Sequence, residues 1–351
     1  MPRTHSTLIC SLFIGVCLLN TSLSAQNAAS YATDPRYVAA LADAKNLVRQ
    51  HQYPFAIDSY KKACKIAAEK DASCLKSLYT LQMKVESFKD AAATAASLAE
   101  IAATPTDKSY AESSRGNALY FQAGDKKKVE LLNAADAAFK SAITADPKNA
   151  TAYYLDGHVL ARLGEMDAAR TQFKACMTCI NPKDPSYLRA QHFAENPALS
   201  LEKMAPAFTV TALDGSTFNL DAMGGRVVLI DFWATWCGPC NEELPHMKKI
   251  AKEFAGQPLV IISVSWDSDE ATWKDFIHKN EMTWVQYRDA DHRLGNTFGI
   301  NAIPHYFTID SDGVLTSEML GEGSNVEGKL KKLIARAKAG QPISTEPKAG
   351  N

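Results

Sequence analysis

The segment Val227-Val228-Leu229-Ile230-Asp231-Phe232-Trp233-Ala234-Thr235-Trp236-Cys237-Gly238-Pro239-Cys240 opens as an apolar run and closes on two cysteines with two residues between them. Val227 to Phe232 lacks apolar/polar alternation, the pattern of a strand buried on both faces. The cysteines stand where that strand passes into a helix expected from Cys240 to about Phe254. At this spacing they can close a small disulfide across the first helical turn. A helix start also offers unpaired N–H groups and the positive end of its dipole, and both favour a thiolate. Cys237 is therefore expected as the exposed nucleophile, and Cys240, one turn inside, as the thiol that resolves a mixed disulfide. Zinc binding is the competing use of such a pair, but it needs two further ligands. The next close pair, Cys176 and Cys179, belongs to a different region, so no metal and no other cofactor is expected.

Outward from this segment the text alternates strands and helices. Phe208 to Thr211 and Thr217 to Leu220 flank Asp214-Gly215, a hairpin signal. Leu259 to Val264 reads as the next buried strand and Ala271 to Lys279 as the next helix. Tyr306 to Ile309, the turn Asp310 to Gly313, and Val314 to Leu320 make a closing hairpin before a last helix from Asn325 to Lys338. This order predicts an α/β domain over residues 204–340, a central mixed sheet with helices on both faces. Asp231 is the odd residue in its strand, because a lone carboxylate is expensive to bury. Buried, it would have a pKa raised toward the range of a general base; at a wet strand end it would be an ordinary acid.

Ala205-Pro206-Ala207-Phe208, Phe232 to Cys237, and Gly299 to Pro304 resemble the thioredoxin superfamily, and within it the exported TlpA/ResA-type thiol–disulfide oxidoreductases, over about Met204 to Ile334. The resemblance implies a cis bond between Ile303 and Pro304, with Ile303, Pro304 and His305 joining Trp236, Gly238 and Pro239 in a groove for substrate backbone. It implies a helix kink at Pro245 and flanking rings at Trp233 and Trp236. It makes Asp231 the buried acid that moves a proton to or from the second cysteine. TlpA/ResA-type proteins more often carry Asn there, so Asp231 leans the chain toward a thioredoxin-like reductant. Two departures stand beside this. The strand Leu259 to Val264 lacks the lysine that accompanies the acid in thioredoxins, and His305 replaces a usual threonine. His305 either stabilises the Cys237 thiolate or lines the groove, and groove lining is the reading adopted. Glu243 is either the family's glutamate or a helix-start carboxylate.

Residues 37–184 are helical in pattern and Ala-rich. Segments starting at Tyr37, Ser73, Ser109 and Ala150, spaced by 36, 36 and 41 residues, repeat a small residue at Ala56, Ala92, Ala135 and Ala169. That spacing resembles the tetratricopeptide repeat, whose stacked helix pairs form concave surfaces for protein or peptide partners; an irregular helical bundle is the alternative. Residues 185–203 read as a linker and 341–351 as a flexible tail. Cys64 closes the first repeat and Cys74 opens the second, so a structural disulfide between them is expected across a helical hairpin. Cys176 and Cys179 read as core packing or a stapled helix end rather than a second redox centre.

Residues 1–25 have the pattern of a cleaved signal: Arg3 and His5, an apolar stretch from Leu8 to Leu19, then small and polar residues to Ala25. A retained anchor is the other reading. The expectation is export, to a periplasm-like compartment where disulfides persist. Lys plus Arg total 38 against 39 Asp plus Glu, a net charge of -1, which removes the electrostatic basis for a nucleic-acid partner. The chain is thus expected to be an exported enzyme, a thiol–disulfide oxidoreductase reducing disulfide-containing protein clients, with a membrane thiol electron donor implied by the resemblance. The alternatives are a repeat-type protein-binding module with an accessory redox domain and, less favoured, a peroxidase, whose single-cysteine Pro/Thr pattern is absent.

Overall fold

The computed structural model describes residues 31–124, 128–321 and 323–339. The expected signal and tail lie outside the described residues. By internal packing the chain divides into a unit up to Gly164 and a unit from Glu165 onward.

The first unit is helical: α1 (Pro35–Arg49), α2 (Tyr53–Ile66), α3 (Ala72–Lys84), α4 (Phe88–Glu100), α5 (Pro105–Ala123), α6 (Val129–Ala145) and α7 (Ala150–Leu163). Each helix packs on the next, an arrangement compatible with stacked repeats. Side-chain caps set several starts: Asp34 begins α1, Asp71 begins α3, Thr104 begins α5 and Asn149 begins α7. Small residues line the contacts, with Ala56, Ala63, Ala95, Ala111 and Ala135 buried. Cys64 at the end of α2 and Cys74 at the start of α3 form a disulfide with their Cα atoms 5.7 Å apart.

The second unit opens with α8 (Met166–Cys179) and α9 (Pro185–Glu195), which pack together. The expected linker, residues 185–203, is therefore mostly helix, followed by a 3-10 turn at Pro197–Leu201. Asp184 caps α9 with a proline in its first positions, and this is a start signal rather than a composition break. Arg189 anchors the helix: its Nε donates to Asp221 Oδ1 at 2.6 Å and its Nη2 to the Ala205 carbonyl at 3.1 Å, all buried. Cys176 and Cys179 sit in the last turn of α8. Cys176 is buried, its thiol pushed up to about 12 chiefly by that burial and then by Cys179.

The rest of the unit is the expected α/β domain. Its elements are β1 (Thr209–Thr211), β2 (Thr217–Asn219), β3 (Val227–Trp233), α10 (Gly238–Glu253), β4 (Leu259–Ser265), α11 (Glu270–Lys279), β5 (Val285–Arg288), α12 (Arg293–Thr297), β6 (His305–Ile309), β7 (Leu315–Leu320) and α13 (Val326–Ala339). The sheet order is β5-β4-β3-β6-β7, with β3, β4 and β5 parallel and β6 and β7 antiparallel, so β3 lies at the centre. Every residue of β3 is buried. Val228, Ile230 and Phe232 face a core closed by the β1–β2 hairpin and α12, while Val227 and Leu229 face α10 and α13. Alternation places Asp231 and Trp233 on the α10 side.

Gly116 of α5 shows how closely the helical unit is packed. A Cβ built there would meet the ring of the fully buried Phe139 of α6 at 2.8 Å. Alanine in a helix interior normally gains about 0.5–1 kcal/mol over glycine, but forcing a methyl into a filled core costs about 1–3 kcal/mol. Gly116→Ala is therefore expected to lower stability by about 1–2 kcal/mol in urea unfolding; a raised midpoint would mean that Phe139 steps aside.

Candidate active site

The end of β3 delivers the chain into a short loop, and the loop delivers two cysteines to the start of α10. Cys237 is the N-cap of α10, and Cys240 lies in its first turn. The two form a disulfide with Cα atoms 5.3 Å apart, and the Cys240 N–H donates to Cys237 Sγ at 3.3 Å. Gly238 and Pro239 suit this corner, since a proline in the first helical positions gives up an N–H that has no partner there. Pro245 sits inside α10 and removes one backbone donor, the expected place for a kink.

The loop before the cysteines is pinned from β4. Thr235 N–H donates to Asp267 Oδ2 at 3.0 Å and its hydroxyl to Asp267 Oδ1 at 2.5 Å. Ser265 steadies the same carboxyl at 2.6 Å, and Asn241 Nδ2 of α10 reaches back to the Thr235 carbonyl at 3.0 Å. Trp236, between the pinned residue and Cys237, is 65% exposed and forms an apolar surface beside the disulfide.

In the disulfide form Cys237 and Cys240 are equally covered, each 6% exposed, so the expected contrast between an exposed and an inner cysteine is absent in this state. Trp233, Trp273 and Ile303 pack around the bonded pair. The Ile303–Pro304 bond is cis, and the Ile303 carbonyl lies 3.9 Å from Cys237 Sγ. His305 is placed elsewhere. In β6 it pairs with Phe232, which puts its ring on the sheet face opposite Asp231, stacked on Phe307 with Nε2 3.0 Å from Glu318 Oε1. Strand alternation past Pro304 turns it away from a groove on the cysteine side.

Asp231 is 4% exposed, in register with Ser263 on one side and Tyr306 on the other. The Ser263 hydroxyl donates to its Oδ2 at 2.9 Å. Burial pushes its pKa up to about 7, the Glu243 charge adds to the rise, and the Ser263 bond opposes it. Asp231 and Cys240 line one small cavity of about 10 Å³ with Trp233, Asn241, Leu244, Met247, Phe276, Met282 and Tyr306. That is about the room one water needs. Glu243 is held in place, accepting from Gly323 N–H at 2.7 Å and lying 3.1 Å from His246 Nδ1, so it ties α10 to the loop before α13. Ser263 and Asp267 were not singled out by the sequence reading. The available signal for Ser263 was a single hydroxyl inside the apolar run of β4. Among the described residues no cluster of ligating side chains could hold a metal ion, and no helix is long and apolar enough to cross a membrane.

Residues 201–318 match the AhpC/TSA family model. The thiol-disulfide oxidoreductase ResA of Bacillus thuringiensis (strain Al Hakam) is 31% identical over 143 residues, 40% of this chain and 83% of the relative. The thioredoxin-like protein YneN of Bacillus subtilis (strain 168) is 30% identical over 132 residues, 37% of this chain and 76% of the relative. Among solved structures, the thioredoxin domain of a thiol-disulfide oxidoreductase from Bacteroides vulgatus is 28% identical, covers 37% of this chain and 95% of its own, and superposes with a TM-score of 0.34.

The Asp231 carboxyl has a thermodynamic signature. Its folded pKa lies above the unfolded value, so the folded chain keeps a proton that the unfolded chain releases, and stability falls as pH rises between about 4 and 7. Asp231→Asn, neutral at every pH, is expected to raise the stability of the oxidised protein by up to about 4 kcal/mol near pH 8 and to change little near pH 4. Urea unfolding at the two pH values checks this; an equal effect at both would mean that folding does not raise the pKa of Asp231.

Proposed function

The chain belongs, through its second half, to the ResA-type thiol–disulfide oxidoreductases, and we propose that it acts outside the cytoplasm as a dithiol reductant of disulfides in protein clients. The observation that carries this reading is the buried carboxyl of Asp231 sharing a one-water cavity with Cys240. The Cys237 thiolate attacks one sulfur of a client disulfide, a mixed disulfide forms, and the other client sulfur leaves as a thiolate. Cys240 gives its proton to Asp231 and attacks the Cys237 sulfur. The Cys237–Cys240 disulfide closes and the second client thiolate departs. Two electrons pass from the cysteine pair to the client. A carboxyl whose pKa stands near neutrality exchanges that proton at physiological pH with little cost in either direction.

Trp236, Gly238 and Pro239 with Ile303 and cis-Pro304 form the surface on which client backbone is read, supported by the exposed indole and by the Ile303 carbonyl beside Cys237. Export is supported by the pattern of residues 1–25 and by the Cys64–Cys74 disulfide, a bond of the kind that persists in oxidising compartments. Outside the cytoplasm the spent disulfide needs a membrane thiol donor to renew it, and the helical unit is the part available to recruit a protein partner.

The reduced full-length chain is expected to reduce a protein disulfide such as that of insulin, with Cys237→Ser inactive and Cys240→Ser accumulating the mixed disulfide. Its equilibrium potential against a thiol buffer is expected near the thioredoxin value of about -270 mV; a value near about -120 mV would make it an oxidant. A pair that forms no reversible disulfide would leave the helical binding module as the main function, and peroxide consumption without protein reduction would favour the peroxidase reading.

A further inference from the structure

Asp231 is the inner end of a hydrogen-bond chain that runs across the sheet from the cysteine site. The Ser263 hydroxyl, fully buried in β4, donates to Asp231 Oδ2 at 2.9 Å. Trp284, just before β5, donates its indole N–H to Ser263 Oγ at 2.8 Å. The chemistry of these groups biases the direction of the chain. An indole nitrogen only donates, and a serine hydroxyl has one proton to give and two lone pairs. Trp284 takes one lone pair, the hydroxyl gives its proton to the carboxyl, and the indole bond polarises the O–H and strengthens that donation. A hydroxyl without the indole is a weaker donor and has both lone pairs open to a protonated Asp231, which would favour the neutral acid.

We propose that Ser263, oriented by Trp284, is a positioning residue for Asp231: it donates to Oδ2, favours the charged, proton-accepting carboxylate, and leaves proton exchange with Cys240 to Oδ1. This rests on the reading of Asp231 as the proton carrier. The groups facing Asp231 from the packed elements are Glu243 and Cys240 of α10 and Tyr306 of β6, while α11 and the segment after it bring only Phe276 and Met282 to the shared cavity. The Glu243 charge and burial both oppose ionisation of Asp231, and the Ser263 bond is what favours it. Ser263 thus sets how far burial raises this acid, and Trp284 acts through Ser263.

The test is the titration of Asp231 in the oxidised full chain, followed by carbon NMR of protein labelled at aspartate and assigned with Asp231→Asn. Ser263→Ala is expected to raise the midpoint by about one pH unit, the size of one lost hydrogen bond to a charged group. Trp284→Phe, which keeps the ring but not the donor, is expected to raise it less. In the Ser263→Ala background Trp284→Phe is expected to add nothing. The pH profile of protein-disulfide reduction should move in the same direction. An unchanged midpoint in Ser263→Ala overturns the proposal, as does a Trp284→Phe shift that is the same with and without the hydroxyl. Should Asp231→Asn retain full reductase activity with an unchanged pH profile, the proton-carrier reading fails instead, whatever the titration shows.

Discussion

The central strand of the second unit carries a carboxyl in the wrong solvent. β3 is the central strand, buried along its whole length and packed on both faces, and it carries Asp231 six residues before Cys237. An isolated charge there would cost several kcal/mol, so the group holds its proton unless something stabilises the anion. The surroundings leave it balanced rather than quenched: burial and Glu243 raise the pKa, Ser263 lowers it, and the result stands at about 7. A carboxyl held there is costly to the fold, a cost that the proposed proton exchange with Cys240 would account for. Such local conflict between stability and position is characteristic of functional sites.

The cysteines need a second constraint, because a disulfide across a helix start works only if the loop feeding it is fixed. Asp267 supplies that by accepting from both donors of Thr235, and Asn241 closes the loop from the α10 side by donating to the Thr235 carbonyl. Trp236 is left outside this clamp, exposed beside a covered disulfide. The arrangement keeps the sulfurs dry and offers an incoming chain an apolar ring and a backbone carbonyl at Ile303, features that suit a protein substrate better than a small polar one.

Much of this was legible in the order of residues. β3, β4, α10, the hairpin turned at Gly215, and the closing hairpin with its helix all stand where apolar runs and turn residues put them, because burial on both faces writes itself as uninterrupted hydrophobicity. β5 and α12 were missed for the opposite reason. Each is only four or five residues long, and short elements at an edge take their form from the neighbour they join. α9 was hidden by reading residues 185–203 as a linker, although a capping acid before a proline opens a helix. Asp231 could be singled out because a charge is conspicuous in an apolar strand, and Cys237 and Cys240 because a closely spaced pair stands where that strand passes into a helix. Ser263, Asp267 and Trp284 could not, since their roles come from register and tertiary contact. His305 shows the same limit, where one step of strand alternation decided which face it serves.

The absence of a lysine on β4 acquires a physical meaning in this frame. An ammonium beside Asp231 would bring a full charge into the core, stabilise the carboxylate strongly, and require its own compensation. A hydroxyl brings one hydrogen bond and no charge, so it moves the acid by less and leaves the core electrically simpler. Its weakness is that it can face either way, donating or accepting, and so favour either protonation state. Trp284 narrows that freedom by taking one lone pair with a donor that cannot reverse. On the proposed reading of Asp231 as the proton carrier, such a neutral pair gives the buried acid a donating partner and leaves its proton affinity close to that needed for exchange with a thiol.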